Sequence, residues 1–367
     1  MQSAACPTRY APSRRSSIDA MKTEAADAIQ LGAVLQKYLK DTALTQGEAV
    51  EVSVLAGGQS NPTYRLQAGG RQMVLRKQPP GQLIAGAHAV DREYKVMHAL
   101  AGSDVPVPPM LAYCDDAALL GTPFYVMGFL DGRVLMDPAL PGMDKAERGA
   151  LYSEMNRVIA ALHQVDINAV GLADFGRHGG YVARQIKRWG QQTAQLSVPI
   201  NQAMRQLMEW LPQHVPANDE TTLVHGDYRL DNLVWHATEP RVIGVLDWEL
   251  STLGDPLADL AYHGMAWRVP PQLWRGMGGQ DLTALGIPDE AQYLQMYAQR
   301  TGRSPGALWE FYLAFNLFRM AAILYGIAQR AADGTAAAED AAVTGAKAGP
   351  LAELGWQCAL AFEHRNG

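Results

Sequence analysis

Residues Leu223–Leu260 read LVHGDYRLDNLVWHATEPRVIGVLDWELSTLGDPLADL. His225-Gly226-Asp227 opens the stretch, Asn232 follows five residues after the Asp, and Asp247 stands beyond a second apolar run. LVWH (Leu233–His236) and RVIGVLD (Arg241–Asp247) are short, aliphatic and rich in β-branched residues, and a polar turn containing Pro240 parts them. That pattern predicts a hairpin with an Asp and an Asn at its entrance and a second Asp at its exit. The layout suits phosphoryl transfer, in which one carboxylate takes the acceptor's proton while an amide oxygen and another carboxylate hold magnesium against a triphosphate.

The spacing resembles the protein-kinase catalytic loop, H-x-D-x-x-x-x-N followed by a metal-binding Asp. Gly226 stands where the eukaryotic enzymes have Arg, and Asp247-Trp248-Glu249 where they have Asp-Phe-Gly. HGDxxxxN with LDWE and GDPLADLA is instead similar to the aminoglycoside phosphotransferase and choline kinase family of small-molecule kinases, and within it to the acyl-CoA dehydrogenase-associated branch. The resemblance covers about Val50 to Arg330. It implies an α+β, bilobal protein kinase-like fold with a small antiparallel-β N-lobe and a larger, mostly helical C-lobe. It further implies Asp227 as the catalytic base, Asn232 and Asp247 as magnesium ligands, and ATP as phosphate donor. His225 would buttress the loop, Glu249 would reach the metal through water, and Asp255 and Asp259 would cap the next helix or accept N–H groups from the loop.

Composition sets bounds on this reading. The 367 residues suffice for two modest domains or two lobes, each with a core. Hydrophobic residues at 48 % and charged ones at 19 % describe a globular chain. A net charge of −6 gives no general attraction to nucleic acid or anionic membranes. Cys6, Cys114 and Cys358 form neither a metal-ligand nor a disulfide pattern, which makes a reducing, cytoplasmic setting the default. No apolar run is expected to reach the roughly 20 residues of a membrane helix. The first twenty residues carry Arg9, Arg14, Arg15, several Ser and one acid, Asp19, without an amphipathic pattern. Residues 1–23 therefore read as a disordered leader, or as lying partly upstream of a true start at Met21.

Along the chain, Glu24–Leu44 has helical periodicity. From Val50 three strand-like runs separated by Gly-rich turns predict an antiparallel meander, followed by a helix over Asp91–Leu100, a Pro-rich connector VPVPPM and a buried strand within Gly121–Leu130. Residues 24–128 are expected to form the nucleotide-binding lobe and 129–360 the catalytic and acceptor-binding lobe. Helices are predicted over Lys145–Gln164, Tyr181–Trp189, Gln202–Leu211, Asp289–Thr301 and Ala307–Arg330.

In the first lobe, LAGGQSNPTYRL places Gly57 and Gly58 in a turn whose backbone N–H groups would cradle phosphates, with Ser60 and Asn61 as further donors. Taken alone, a Gly-Gly pair between strands is usually a plain hairpin turn. The next strand, MVLRKQ, puts Arg76 and Lys77 on opposite faces. The resemblance favours Arg76 as the phosphate cation, Lys77 being the rival, and assigns Glu93 as its partner; an ordinary exposed helical Glu is the plain alternative. It also puts adenine against the backbone near Met127, Gly128 and Phe129.

The acceptor pocket is expected among Tyr262, His263, Trp267, Trp274, Tyr293, Tyr297, Trp309, Tyr312, Arg319 and Arg330, several of which would be core instead. Acids are sparse here: between Tyr262 and Arg330 only Asp281, Asp289, Glu290 and Glu310 occur, which disfavours a polycationic acceptor. The resemblance implies a hydroxyacyl-CoA or related metabolite as acceptor, with Arg319 or Arg330 meeting its anionic part, unless both make surface ion pairs. It also implies a functional association with an acyl-CoA dehydrogenase. Phosphorylation of an aminoglycoside, choline-like or sugar hydroxyl is the alternative, and a nucleotide-binding regulatory pseudokinase a further one.

Overall fold

The computed structural model describes residues 31–39, 44–45, 47–55, 61–79, 89–217, 220–336 and 338–366. The expected leader, Gly57, Gly58 and Ser60 lie outside these residues. The chain falls into two compact units, one comprising residues up to Tyr94 with Pro109–Phe129, the other Lys95–Pro108 with Leu130–Gly367. Residues 95–108, read from sequence as part of the first lobe, belong with the second. There the N–H of Val245 donates to the carbonyl of Pro106 at 2.8 Å and Lys95 pairs with Asp174 at 2.8 Å.

The first unit contains helix α1 (31–39), strands β1 (Glu51–Val54), β2 (Thr63–Ala68) and β3 (Arg71–Lys77), helix α2 (Val90–Ala99, whose last turns belong to the second unit), strand β4 (Met110–Cys114), the short helix α3 (Ala117–Leu120) and strand β5 (Phe124–Gly128). The strands form one antiparallel sheet in the order β1-β2-β3-β5-β4. Gly69 and Gly70 join β2 to β3 with φ of +57° and +71°, the two-residue hairpin turn whose twist matches its strands. The 3.6-residue spacing of Leu31, Leu35 and Leu39 lays one helix face on Leu66, Met73, Leu75, Phe124 and Val126, which forms this unit's core. Strand β4 was hidden by the prolines before it. It lies at the sheet edge, where a missing Pro N–H is tolerated, and its pairing is irregular between Met110 and Ala112.

The second unit begins with β6 (Arg133–Val134), α4 (Lys145–His163), α5 (Tyr181–Ala194), α6 (Gln202–Trp210) and β7 (Thr222–Val224). The hairpin β8 (Leu233–Trp235) and β9 (Val242–Val245) follows, then β10 (Thr252–Gly254), α7 (Pro256–Gly264), α8 (Leu282–Leu285), α9 (Glu290–Thr301), α10 (Trp309–Ala332), α11 (Ala341–Gly345) and α12 (Ala348–Asn366). β6, β8 and β9 make one small antiparallel sheet, and β7 with β10 another. Helix α10 is the hub, packing on α5, α6, α7, α11 and α12. One expectation is corrected here: residues 306–332 are long and apolar enough to cross a membrane by composition. Of that apolar window 78 % is buried inside the fold, so its all-round hydrophobicity is that of a central core helix.

Candidate active site

The loop between β7 and β8 carries His225, Gly226 and Asp227, and its path is dictated by buried acceptors. Asp259, on α7, accepts the N–H of His225 with one oxygen and that of Gly226 with the other, each at 2.8 Å. The same carboxylate meets His163 Nε2 at 3.2 Å, and His163 Nδ1 lies 2.7 Å from the Tyr297 hydroxyl. Burial opposes a charge on Asp259, yet the hydrogen bond and charge of His163, with His225 behind them, hold its carboxyl below the usual value. Asp255 caps α7 by accepting from Leu257 and Ala258 and receives the Tyr312 hydroxyl at 2.8 Å. Gly226 sits at φ +81°, and a Cβ there would lie 2.8 Å from the carbonyl of Leu250, so an arginine has no place at this position.

His225 braces the loop. Its Nε2 meets the carbonyl of Leu246 at 2.9 Å, its Nδ1 accepts from the Asp227 N–H at 3.2 Å, and its ring packs 4.7 Å from that of Trp248. Across the hairpin, Leu246 N–H donates to the Asn232 carbonyl at 2.8 Å, which brings Asn232 and Asp247 to the same end of the β8–β9 pair. Asp247 adopts a left-handed backbone, φ 64° and ψ 56°, rare for a residue other than glycine and characteristic of sites where geometry is held against local preference. The amide of Asn232 donates to the Asp227 carbonyl at 2.8 Å and to Oδ2 at 3.0 Å, so its own Oδ1 is the end left for a ligand.

Two contacts on Asp227 escaped sequence reasoning. Arg229 Nε approaches Oδ1 at 3.2 Å, and the Tyr262 phenol donates to the same oxygen. Burial, and then the charge of Asp227, push the Tyr262 pKa far up, so the phenol keeps its proton and is the donor. Arg319 is a correction. It is buried, donates to the Gly226 carbonyl at 2.9 Å and lies over the Tyr262 ring at 5.3 Å, so it is not a surface ion pair. Arg330 is exposed and does not line the cavity described next.

Tyr262 and Arg229 also line a cavity of about 60 Å³, walled by Met136, Met155, Met265, Met320, Leu230, Val269 and Leu351, with His263, Asp231, Trp274 and Arg275 among its other residues. Met136, Pro138, Trp274 and Arg275 are shared with a wider groove of about 450 Å³. Of the aromatic residues expected here, Trp267, Tyr293, Tyr297, Trp309 and Tyr312 are buried and do not line it. Asp231, the cavity's acid, pairs with Arg229 at 3.4 Å and with Arg275.

In the first unit, Arg76 Nε lies 2.9 Å from Glu93 Oε2, and Lys77 donates to the Leu120 carbonyl at 3.2 Å. Glu93 is 1 % exposed and also receives the Tyr125 hydroxyl at 2.8 Å, so the exposed-helix alternative does not hold. Asn61 is corrected as well: fully buried, it donates to Glu93 Oε1 at 2.8 Å and braces the ion pair rather than serving a turn. Met127 pairs with Val74 in the sheet, and the N–H groups of Gly128 and Phe129 donate to Pro109 and Gln72 at 2.8 and 3.2 Å. Those two N–H groups are therefore committed within the unit and unavailable to a purine base.

An amide oxygen from Asn232 and a carboxylate from Asp247 suit a hard ion such as magnesium, which completes its shell with phosphate oxygens and water. Among the described residues no group of three or more His, Cys, Asp or Glu is arranged to hold a metal.

A protein kinase-like α+β fold with an Asp, an Asn and a second Asp on one hairpin defines a phosphotransferase with an alcohol group as acceptor. The model of the phosphotransferase enzyme family called APH matches residues 51–315, and the chain belongs to that family. A crystal structure from Ralstonia eutropha described as a candidate aminoglycoside phosphotransferase is 50 % identical, with a TM-score of 0.83 over 89 % of this chain and 97 % of that one. The GDP complex of aminoglycoside 2'-phosphotransferase-IIIa shares the fold at 15 % identity, with a TM-score of 0.60 over 90 % and 98 % of the two chains. Acyl-CoA dehydrogenase family member 10 of Mus musculus is 44 % identical over 328 residues, 89 % of this chain. The matched region is 31 % of that relative, so the chain spans about a third of its length. The similarity places the chain beside the acyl-CoA dehydrogenase-associated branch.

Proposed function

We propose that this protein transfers the γ-phosphate of ATP, with magnesium, to a hydroxyl carried on a short aliphatic segment of a larger acceptor, a hydroxyacyl-CoA being the class that fits best. The observation that carries this reading is the methionine-lined cavity beside the Asp227–Tyr262 pair and the broad groove it adjoins. Apolar walls take a hydrocarbon, and the groove accommodates a bulky remainder. An aminoglycoside would put ammonium groups against the cavity's methionines, and the acid that lines the cavity, Asp231, is already paired with two arginines. Asp227 orients the acceptor hydroxyl and receives its proton; the transition state is loose and little proton transfer precedes it. Asn232 Oδ1 and Asp247 would hold the magnesium, which neutralises charge on the phosphates. Arg76, fixed by Glu93, supplies the fixed cation for the triphosphate. The names of relatives such as acyl-CoA dehydrogenase family member 10 support a functional association with an acyl-CoA dehydrogenase.

The test is a mass-spectrometric phosphotransfer screen with ATP or GTP and magnesium, run beside Asp227→Asn as blank. The acceptors are 3-, 4- and 5-hydroxyacyl-CoAs, aminoglycosides, choline-type amines and sugars. A phosphorylated hydroxyacyl-CoA absent from the blank is the expected result. Transfer to an aminoglycoside alone overturns the acceptor class, and nucleotide binding without transfer to any acceptor favours a regulatory pseudokinase.

A further inference from the structure

Neither Arg319 nor Arg330, the cations assigned from sequence to the acceptor's anionic part, lines the cavity or the wider groove. Two other cations do. Arg275, between α7 and α8, lines both spaces, and its side chain is 43 % exposed. Its Nη1 donates to Asp231, which Arg229 also meets at 3.4 Å, and the rest of the guanidinium fork has no partner among the described residues. Asp231 thus anchors the group and leaves most of its donors unused. Lys347, between α11 and α12, is half-buried and lines the groove. Its Nζ stands 5.1 Å from the ring centre of Trp274, another groove residue, and makes no hydrogen bond or ion pair with the described residues. A cation perched on an aromatic face is held in place without giving up its N–H donors. Two acids share the groove. Asp137 accepts the N–H of Ala139 at 2.9 Å and Asp340 faces the Thr344 hydroxyl at 3.5 Å, so each is engaged on its own turn, whereas the donors of the two cations are spare.

We propose that Arg275 and Lys347 are specificity-determining residues that bind a phosphate group carried by the acceptor, the groove being the subsite for that part of the molecule. The proposal rests on the kinase reading of this site and narrows its substrate class: a hydrocarbon end bearing the hydroxyl, which enters the cavity, joined to a phosphate-bearing remainder. Phosphate oxygens take N–H donors from a planar fork and from an ammonium at once, and such charge-assisted bonds are about twice as strong as neutral ones. Arg275 stands where cavity and groove meet, so it is placed at the passage from the apolar to the charged part of such an acceptor. Through Asp231 and Arg229 it is also joined to Asp227 by a chain of ion pairs.

The test does not depend on phosphotransfer. The full chain is titrated calorimetrically with phosphopantetheine, with pantetheine, which lacks the phosphate, and with spermidine. Phosphopantetheine is expected to bind at least about 10-fold more tightly than pantetheine, and less tightly as salt is raised. Lys347→Gln should weaken phosphopantetheine about 5- to 10-fold and Lys347→Gln with Arg275→Gln about 10- to 100-fold, pantetheine changing less than about two-fold in either. Arg76→Gln, in the other unit, should leave all three within about two-fold, which separates the groove from the proposed nucleotide site. Equal binding of the two pantetheines, no binding of phosphopantetheine, or affinities indifferent to Lys347 and Arg275 overturn the proposal. Spermidine bound more tightly than phosphopantetheine also overturns it, since Asp137 and Asp340 would then set the specificity. A screen without phosphorylated product, combined with phosphopantetheine binding that depends on Lys347, would sink the kinase reading and leave the phosphate subsite standing. For a phosphate-bearing acceptor from the screen, Lys347→Gln should raise the acceptor KM about 5- to 10-fold with kcat and the ATP KM within about three-fold. An acceptor KM unchanged by that substitution overturns the proposal.

Discussion

The phenol of Tyr262 donates to Oδ1 of Asp227, the oxygen that Arg229 approaches from its other side at 3.2 Å, and Asn232 occupies Oδ2 at 3.0 Å. The carboxylate is thus oriented three times over, and under the proposed function the acceptor hydroxyl has to reach it beside one of these three partners. Since Arg229 and Asn232 hold Asp227 without it, the phenol on that proposal competes with the acceptor more than it positions the proposed base. Tyr262→Phe is therefore expected to lower the acceptor KM about five-fold, the worth of one net hydrogen bond, with kcat and the ATP KM changed less than about three-fold. Steady-state kinetics in both substrates check this. A fall in kcat of about 100-fold or more would instead make the phenol part of the proton path.

Arg319 reaches from α10 to the catalytic loop through the Gly226 carbonyl and lies over the ring of Tyr262. Removing it leaves that carbonyl buried without its charged donor. Arg319→Met should cost about 2–3 kcal/mol of stability in chemical denaturation, whereas Arg330→Ala, at an exposed position, should change it by less than about 0.5 kcal/mol. Were Arg319 a contact for an anionic acceptor, the substitution would raise the acceptor KM and spare stability.

Gly226 combines φ +81° with a closest approach of 2.8 Å between an added Cβ and the Leu250 carbonyl. Gly226→Ala forces a left-handed alanine against backbone. The expected cost is about 2–3 kcal/mol, a fall in melting temperature of about 5–10 °C, and a loop too displaced for turnover. An unshifted melting curve with full activity would show that the β7–β8 loop relaxes freely.

What could be read before the fold was known divides by the range of the interaction. The β8–β9 hairpin, the β2–β3 turn at Gly69-Gly70 and most helices of the second unit were legible because their signals are local: alternation, paired glycines and 3.6-residue periodicity. The roles of Asp255 and Asp259 followed from a motif at fixed offsets. Strand β4 was missed because prolines mask an edge strand. Tyr262 was visible only as one aromatic among many, since its bond to Asp227 joins residues 35 apart through the packing of α7 on the loop. Arg319, 93 residues from Gly226, carried the same ambiguity, and its apolar helix gave no sign of which face the guanidinium takes. Asn61 read as a turn residue because nothing local tells that it points inward to Glu93.

Protonation of His263 couples the cavity to stability. Its value in the unfolded chain is near 6.5 and burial brings it to about 4 in the fold, so between those limits the unfolded state binds the extra proton. Stability should therefore rise with pH from about 4 to about 6.5 and level off above, this one site contributing about 3 kcal/mol across the interval. Asp259 is also lowered, from an ordinary value of 3.8, so its contribution is lost only as pH falls below that window. Urea denaturation at pH 7 and pH 4.5 should show a smaller acid-induced loss in His263→Phe than in the parent protein, because phenylalanine takes up no proton in either state. An equal loss in both would mean that the ring takes up its proton in the fold as readily as in the unfolded chain.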